Sequence, residues 1–211
     1  MSVLSKNKIL ERIKKGELSF EPGLDKFQLR THSVDLRLGF TFLVPKFWHV
    51  TVAGREPVPI DYLNNVRANC FDIVELEQGQ YFDVLPGEYV LFSTLEKIKL
   101  PNDLMAVLYP RSSVNRRGLA VDLTGIIDAG YCGQLIMPVR NNAKNQVIRV
   151  YPGERFCQLV FEELSETCPD AVKSRYSGMD VVKGFVPENS TSEVELINKG
   201  DIKTLKEKYS I

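Results

Sequence analysis

From Phe71 to Phe161 the chain is a succession of short apolar and β-branched runs, each closed by a turn signal before it is long enough for a helix. The breaks fall at Gln78 and Gly79, at Pro86 and Gly87, and at the Asn141, Asn142, Ala143, Lys144, Asn145 stretch between Gln134 to Arg140 and Gln146 to Tyr151. Arg155 to Phe161 makes one more such run, and upstream Val34, Leu36, Leu38 and Phe40 alternate with polar partners. Short strands at this spacing predict an all-β jelly roll or barrel and exclude alternating βαβ units. One helix is expected, from Ser5 to Gly16: Ser5 can cap it, Ile9, Leu10 and Ile13 share a face, and Gly16 can end it.

A length of 211 residues with 44% hydrophobic content suits one domain with a real core. We expect that domain over residues 1–186, with a polar tail over 187–211 that can form a short helix from about Ile202 to Tyr209. Pro45 to Cys70 reads as an insertion of loops and short strands without chemistry of its own. The 27 basic and 27 acidic residues cancel, so no long-range field recruits nucleic acid. No signal peptide and no apolar run near membrane-spanning length is present, and the four cysteines make no CxxC pair. A cytoplasmic protein with reduced thiols, no nucleic-acid partner and no membrane partner is the expectation. His32 and His49 are the only histidines, and the zinc deaminase pattern, His-x-Glu followed by Pro-Cys-x-x-Cys, is absent, so no protein metal site is expected.

The chemistry concentrates between Pro110 and Gly133, PRSSVNRRGLAVDLTGIIDAGYCG. Arg111, Ser112, Ser113 and Arg116 combine guanidinium forks with hydroxyls and turn amides, a donor set that suits phosphate oxygens. The run from Leu119 to Ile127 has the content of a strand pair bent at Thr124 and Gly125, which would expose backbone donors and acceptors to a small ligand. Asp128 ends that run as a placed carboxylate, and Tyr131 follows where it can close over a sugar. Each has a plainer reading: Arg111 to Ser113 as a polar turn, Asp128 as a turn former, and Tyr131 as a core aromatic.

PRSS, GIIDAGYCG and, at Gly153 to Phe161, GERFCQLVF occur here in an order that resembles the trimeric dUTPase and dCTP deaminase superfamily. Gln28, Ser33, Asp35 to Gly39 (DLRLG) and Pro86 to Leu100 (PGEYVLFSTLEKIKL) are more similar to the deaminase branch, and the resemblance runs from about Ile9 to Phe185. It implies a distorted jelly roll of the dUTPase type and a homotrimer with shared active sites. Asp128 would be catalytic. Arg111, Ser112, Ser113, Arg116, Gly125, Tyr131, Gln158 and, from a closing arm over about 168–186, Arg175 and Tyr176 would bind the nucleotide. Magnesium would arrive on the triphosphate. Asp35 is the acidic member of its motif, readable as a buried acid satisfied by backbone and arginine or as a contact to metal-phosphate.

Counting on from Asp128, the family's deaminases carry a proton-shuttling glutamate where this chain has Pro138, between the non-ionisable Met137 and Val139. Attack at phosphorus makes no demand on that position. The primary expectation is therefore a dUTP pyrophosphatase that hydrolyses dUTP to dUMP and diphosphate with Asp128 activating water. The alternatives are a dCTP deaminase, with or without pyrophosphatase activity, and a non-catalytic nucleotide-binding regulator. The deaminase needs a substitute acid, and Asp122 is the nearby candidate; its other reading is a hairpin residue.

Overall fold

The computed structural model describes residues 2–61, 63, 70–122, 125–168, 177, 178, 181–183 and 191–210. Helix α1 (Lys6–Lys14) leads into β1 (Ser19–Glu21), β2 (Val34–Pro45), β3 (Trp48–Thr51), β4 (Gly54–Pro57), β5 (Phe71–Glu75), β6 (Phe82–Val84), β7 (Tyr89–Lys99) and β8 (Leu104–Pro110). Helix α2 (Ser112–Arg116), β9 (Leu119–Val121), β10 (Ile126–Ile127), β11 (Cys132–Asn141), β12 (Ile148–Val150), β13 (Arg155–Glu163), a 3-10 turn (Val181–Lys183), α3 (Thr191–Asn198) and α4 (Ile202–Lys208) complete the chain. Met1–Pro45 with Ile73–Gly184 form one compact unit, and Lys46–Asp72 with Phe185–Ile211 a second.

The first unit is built on a sheet ordered β10-β8-β13-β2-β7-β11-β9, with β1 paired to β7. Flat, the six interstrand steps of that path would hold β10 and β9 about 29 Å apart at about 4.8 Å each. Yet Val121 ends β9 and Ile126 begins β10, and a chain of that length reaches at most about 18 Å. The sheet therefore curls until its two edges approach each other, which produces the expected mostly-β fold. The concave face is packed with Leu36, Leu38, Phe92, Phe156 and Phe161, all without solvent exposure, and Phe42 stacks on Phe82 at 4.6 Å between ring centroids. Among the described residues no helix is long and apolar enough to cross a membrane.

The N-terminal helix forms where expected. Ile9 is buried in the core, and Gly16 at φ +73° lets Glu17 and Leu18 turn back and donate to the Arg12 carbonyl. Ser5 differs from the expectation: it occupies the cap position, but its side chain caps nothing, and its carbonyl simply accepts from Ile9 N–H at 2.9 Å. The strand pair expected over Leu119 to Ile127 does not form. Leu119–Val121 pairs with β11 and Ile126–Ile127 with β8, because the curled sheet offers each half an unpaired edge, and long-range pairing displaces the local hairpin. Thr124 lies outside the described residues.

Pro138 sits in the middle of β11, a place where the lost N–H normally breaks a ladder. Here its carbonyl and its missing donor face the end of β9: the carbonyl accepts from Asp122 N–H at 3.1 Å, and β9 stops one residue earlier. The missing bond thus falls where the ladder ends anyway.

The second unit holds a β3–β4 hairpin in which the Arg55 guanidinium lies 3.9 Å above the Trp48 ring, so short strands do occur within the expected insertion. The helix expected near Ile202 is present and capped by Asp201, whose carboxylate accepts from Thr204 N–H at 3.1 Å. Helix α3 precedes it and was not legible in the polar tail.

Gly39 lies at a register shift of β2 against β7, where an added Cβ would overlap Ser93 Oγ and stand 2.7 Å from the Thr94 carbonyl oxygen. Ser93 cannot yield freely, since its hydroxyl is held by the Thr41 backbone at 2.9 and 3.3 Å. Gly39→Ala is expected to destabilise the protein by about 1–3 kcal/mol, read as a lower urea midpoint at an unchanged slope.

Candidate active site

Asp35 stands in β2 opposite Gln158 of β13 and is 1% exposed. Its neighbours Val34 and Leu36 face the core, which turns the carboxylate to the other side of the strand, where three arginines close over it. Its Oδ2 is 3.3 Å from Arg111 Nε, 3.2 Å from Arg155 Nη1 and 3.6 Å from Arg30 Nε. Arg111 Nη1 also donates to the Arg155 carbonyl at 3.0 Å, and Arg155 Nη1 to the Phe27 carbonyl at 2.8 Å. Behind the cluster Gln28 Nε2 donates to the Asp35 carbonyl at 2.9 Å and to Glu96 at 2.6 Å, and burial pushes the Glu96 carboxyl up from its ordinary range. A desolvated carboxylate is tolerable only with donors of this number and geometry. Asp35 is thus a buried acid whose carboxylate is met by arginines, while its backbone N–H and carbonyl bond to Gln28.

Three guanidiniums around one carboxylate leave positive charge in excess. Burial pushes the Arg111 guanidinium down from its ordinary range. Arg111 is also the N-cap of α2, so Arg111, Ser112 and Ser113 form a helix start rather than the polar turn that was their plainer reading. Hydrogen bonding explains the difference: Val114 and Asn115 N–H both return to the Arg111 carbonyl, at 2.9 and 3.3 Å. The amides of Ser112 and Ser113, in the first turn, have no intrahelical acceptor, and both serines and Arg116 are exposed. Gln158, half-buried beside Asp35 and opposite Tyr109 of β8, belongs to the same end of the sheet.

Asp128 lies elsewhere. The register of β10 on β8 places it level with Met105, six residues from Arg111, or about 20 Å along the strand. It is exposed and heads a turn in which Tyr131 N–H donates to its carbonyl at 3.2 Å, with Gly130 at φ +78°. Tyr131 is buried and its hydroxyl donates to the Gln134 carbonyl at 2.6 Å; burial pushes that hydroxyl up to about 12. Gly125 accepts from Leu108 N–H at 3.0 Å on the edge of the sheet. Beside this end Ser177 Oγ accepts from Cys132 N–H at 3.1 Å, and Gly178 N–H donates to the Cys132 carbonyl at 2.6 Å. Arg175 and Tyr176 lie outside the described residues. Within one chain the structure therefore joins Arg111, Ser112, Ser113 and Gln158 at one end and Asp128 and Tyr131 at the other.

Arg155 and Arg30 were not singled out in the sequence. Arg155 was visible inside GERFCQLVF as an arginine opening an apolar strand, but its partner Asp35 is 120 residues away. Among the described residues no group of three or more His, Cys, Asp or Glu could hold a metal ion.

A family model described as dCTP deaminase-like matches residues 3–164. The chain belongs to the dCTP deaminase-like family. It is 39% identical over 165 residues to a dUMP-forming dCTP deaminase of Dictyoglomus thermophilum, covering 77% of this chain and 81% of that protein. To a dUMP-forming dCTP deaminase of Aquifex aeolicus it is 36% identical over 194 residues, covering 92% and 98%. Among solved structures, 2′-deoxycytidine 5′-triphosphate deaminase from Agrobacterium tumefaciens aligns with a TM-score of 0.57 and 26% identity, over 75% of this chain and 48% of that one.

These relatives overturn the expectation of a plain dUTP pyrophosphatase, since those compared above are named dUMP-forming dCTP deaminases. That expectation rested on Pro138 alone, and a single changed position is outweighed by similarity along most of the chain. The deaminase alternative fits the comparisons better.

Removing the Asp35 carboxylate would leave three guanidiniums facing one another at a buried centre. Asp35→Ala is expected to cost about 3 kcal/mol, the low end for a broken buried pair because the arginines keep some solvent. Chemical denaturation measures it, and a cost within experimental scatter of zero would show that the cluster does not hold the fold.

Proposed function

We propose that this protein converts dCTP and two waters to dUMP, ammonia and diphosphate. The observation that carries this reading is the excess positive charge of Arg30, Arg111 and Arg155 around Asp35, set at the first turn of α2 with the hydroxyls and amides of Ser112 and Ser113. A triphosphate matches that donor set, with Arg116 one turn further on. Gln158 extends the same end, and Gly125, Tyr131, Arg175 and Tyr176 contact the base and sugar. Asp128 takes a proton from the water that attacks the α-phosphorus, and diphosphate leaves as a stable anion. Magnesium comes with the triphosphate, for which the described residues offer guanidiniums and amides in place of a carboxylate cage.

The product mixture tests the reading. Incubated with dCTP and magnesium, the purified protein should release ammonia and diphosphate and accumulate dUMP on chromatography. Diphosphate without ammonia, or no product at all, would refute it.

We propose a homotrimer with shared sites, a reading that the same geometry supports. About 20 Å of β8 separates Asp128 from Arg111, so one chain cannot bring both to the α- and γ-phosphates of one triphosphate, whereas a neighbouring copy can supply the missing half. The edge strand β10, with Ile126 68% exposed, is apolar surface of the kind that assembly covers. Light scattering should give the trimer mass, and a monomer mass at working concentration would rule out shared sites.

A further inference from the structure

Deamination at C4 of cytosine needs a group that takes protons from water and delivers them to the base and the departing amine, and Pro138 has no ionisable atom. The residue directly across the sheet from Pro138 is Asp122. Leu119, Ala120 and Val121 pair with Asn141, Arg140 and Val139, and the next step of that ladder sets Asp122 against Pro138, with the 3.1 Å bond from Asp122 N–H to the Pro138 carbonyl. Directly opposed residues of an antiparallel pair share a face, with Cβ atoms about 5 Å apart. Val121 and Val139 turn into the core, so Asp122 and Pro138 look the other way, and Asp122 is exposed.

The surroundings are defined on both sides. On β7, Leu91 pairs with Pro138 and Tyr89 with Arg140, whose guanidinium lies 5.8 Å from the Tyr89 ring centroid. Ala120 pairs with Arg140 from the other side. The Tyr89 hydroxyl is pushed up by burial and by the negative charge of Asp122, which places that charge within reach of the same patch. Of these paired residues Asp122 is the one carboxylate.

We propose that Asp122 is the acid–base group of deamination in this chain, reaching from β9 the space that a side chain at position 138 of β11 would occupy. The inference rests on the dCTP deaminase reading. The Asp122 carboxylate takes a proton from water as the water oxygen bonds to C4, and passes it to N3 of the ring. It then takes the proton of the new C4 hydroxyl and gives it to the amine as the C4–N bond breaks. Ammonia leaves, the water oxygen remains as the C4 carbonyl, N3 keeps one proton, and the carboxylate is regenerated.

The test measures ammonia from dCTP with the full-length protein, Asp122→Asn, and the double variant Asp122→Asn with Pro138→Glu. Asp122→Asn should lower kcat for ammonia by roughly 10² to 10⁴ fold with little change in KM. The double variant should recover activity, because it returns a carboxylate to the same face from the opposing strand; a merely structural role for Asp122 would not produce that recovery. Asparagine at 122 keeps the size and the backbone bond to Pro138, and a melting curve checks that the variant is folded. Ammonia formed by folded Asp122→Asn at the wild-type rate would overturn the proposal and leave the deaminase reading standing. No ammonia from the unaltered protein would overturn both.

Discussion

A carboxylate removed from water organises this molecule. Asp35 is buried in the middle of the sheet, and the free energy of leaving it there unpaired would be prohibitive, so Arg111 and Arg155 must approach from the two neighbouring chain segments and Arg30 from the loop before β2. That requirement fixes how the end of β8 and the beginning of β13 meet β2. It also sets the start of α2, because Arg111 is both a partner of Asp35 and the residue at the N-cap position of the helix. The proposed phosphate-binding surface is in this sense a by-product of satisfying a buried acid: its excess cations are the ones the acid needed.

Sheet curvature supplies the second constraint. Only four residues, 122–125, connect opposite edges of the sheet, so β9 and β10 are drawn toward each other while each remains paired to a different neighbour. Asp128 is carried to one end of β8 and Arg111 to the other. The groups proposed for water activation and for phosphate binding are thus placed by one strand at a separation that one substrate cannot bridge. An assembly in which copies complement each other resolves this without any change in the fold.

Much of the architecture was legible before any coordinates. Short runs between turn signals specified strands, and Gly79, Gly87, Gly16 and the Asn141 to Asn145 stretch marked real reversals, because turns and helix ends depend on local backbone preferences. The site was legible in its residue types and less so in its geometry. Arg111, Ser112 and Ser113 carry the right donors, but a helix start and a polar turn look alike over three residues. Leu119 to Ile127 has hairpin content, and only competition from the distant edges of β11 and β8 shows that it does not close on itself. Pro138 misled more seriously: its missing acid pointed to a plain pyrophosphatase, while similarity along most of the chain points to the deaminases.

By itself, then, the sequence determined the strand-rich fold, the short N-terminal helix and which side chains are candidates for a nucleotide site, all of which follow from periodicity, turn chemistry and side-chain functional groups. Tertiary structure decided which of those groups meet. Pairing of Asp35 with Arg155 across 120 residues, the opposition of Asp122 to Pro138, and the separation of Asp128 from Arg111 are set by strand register and by sheet curvature. Those quantities depend on contacts remote in the chain, and a local reading of residues has no access to them.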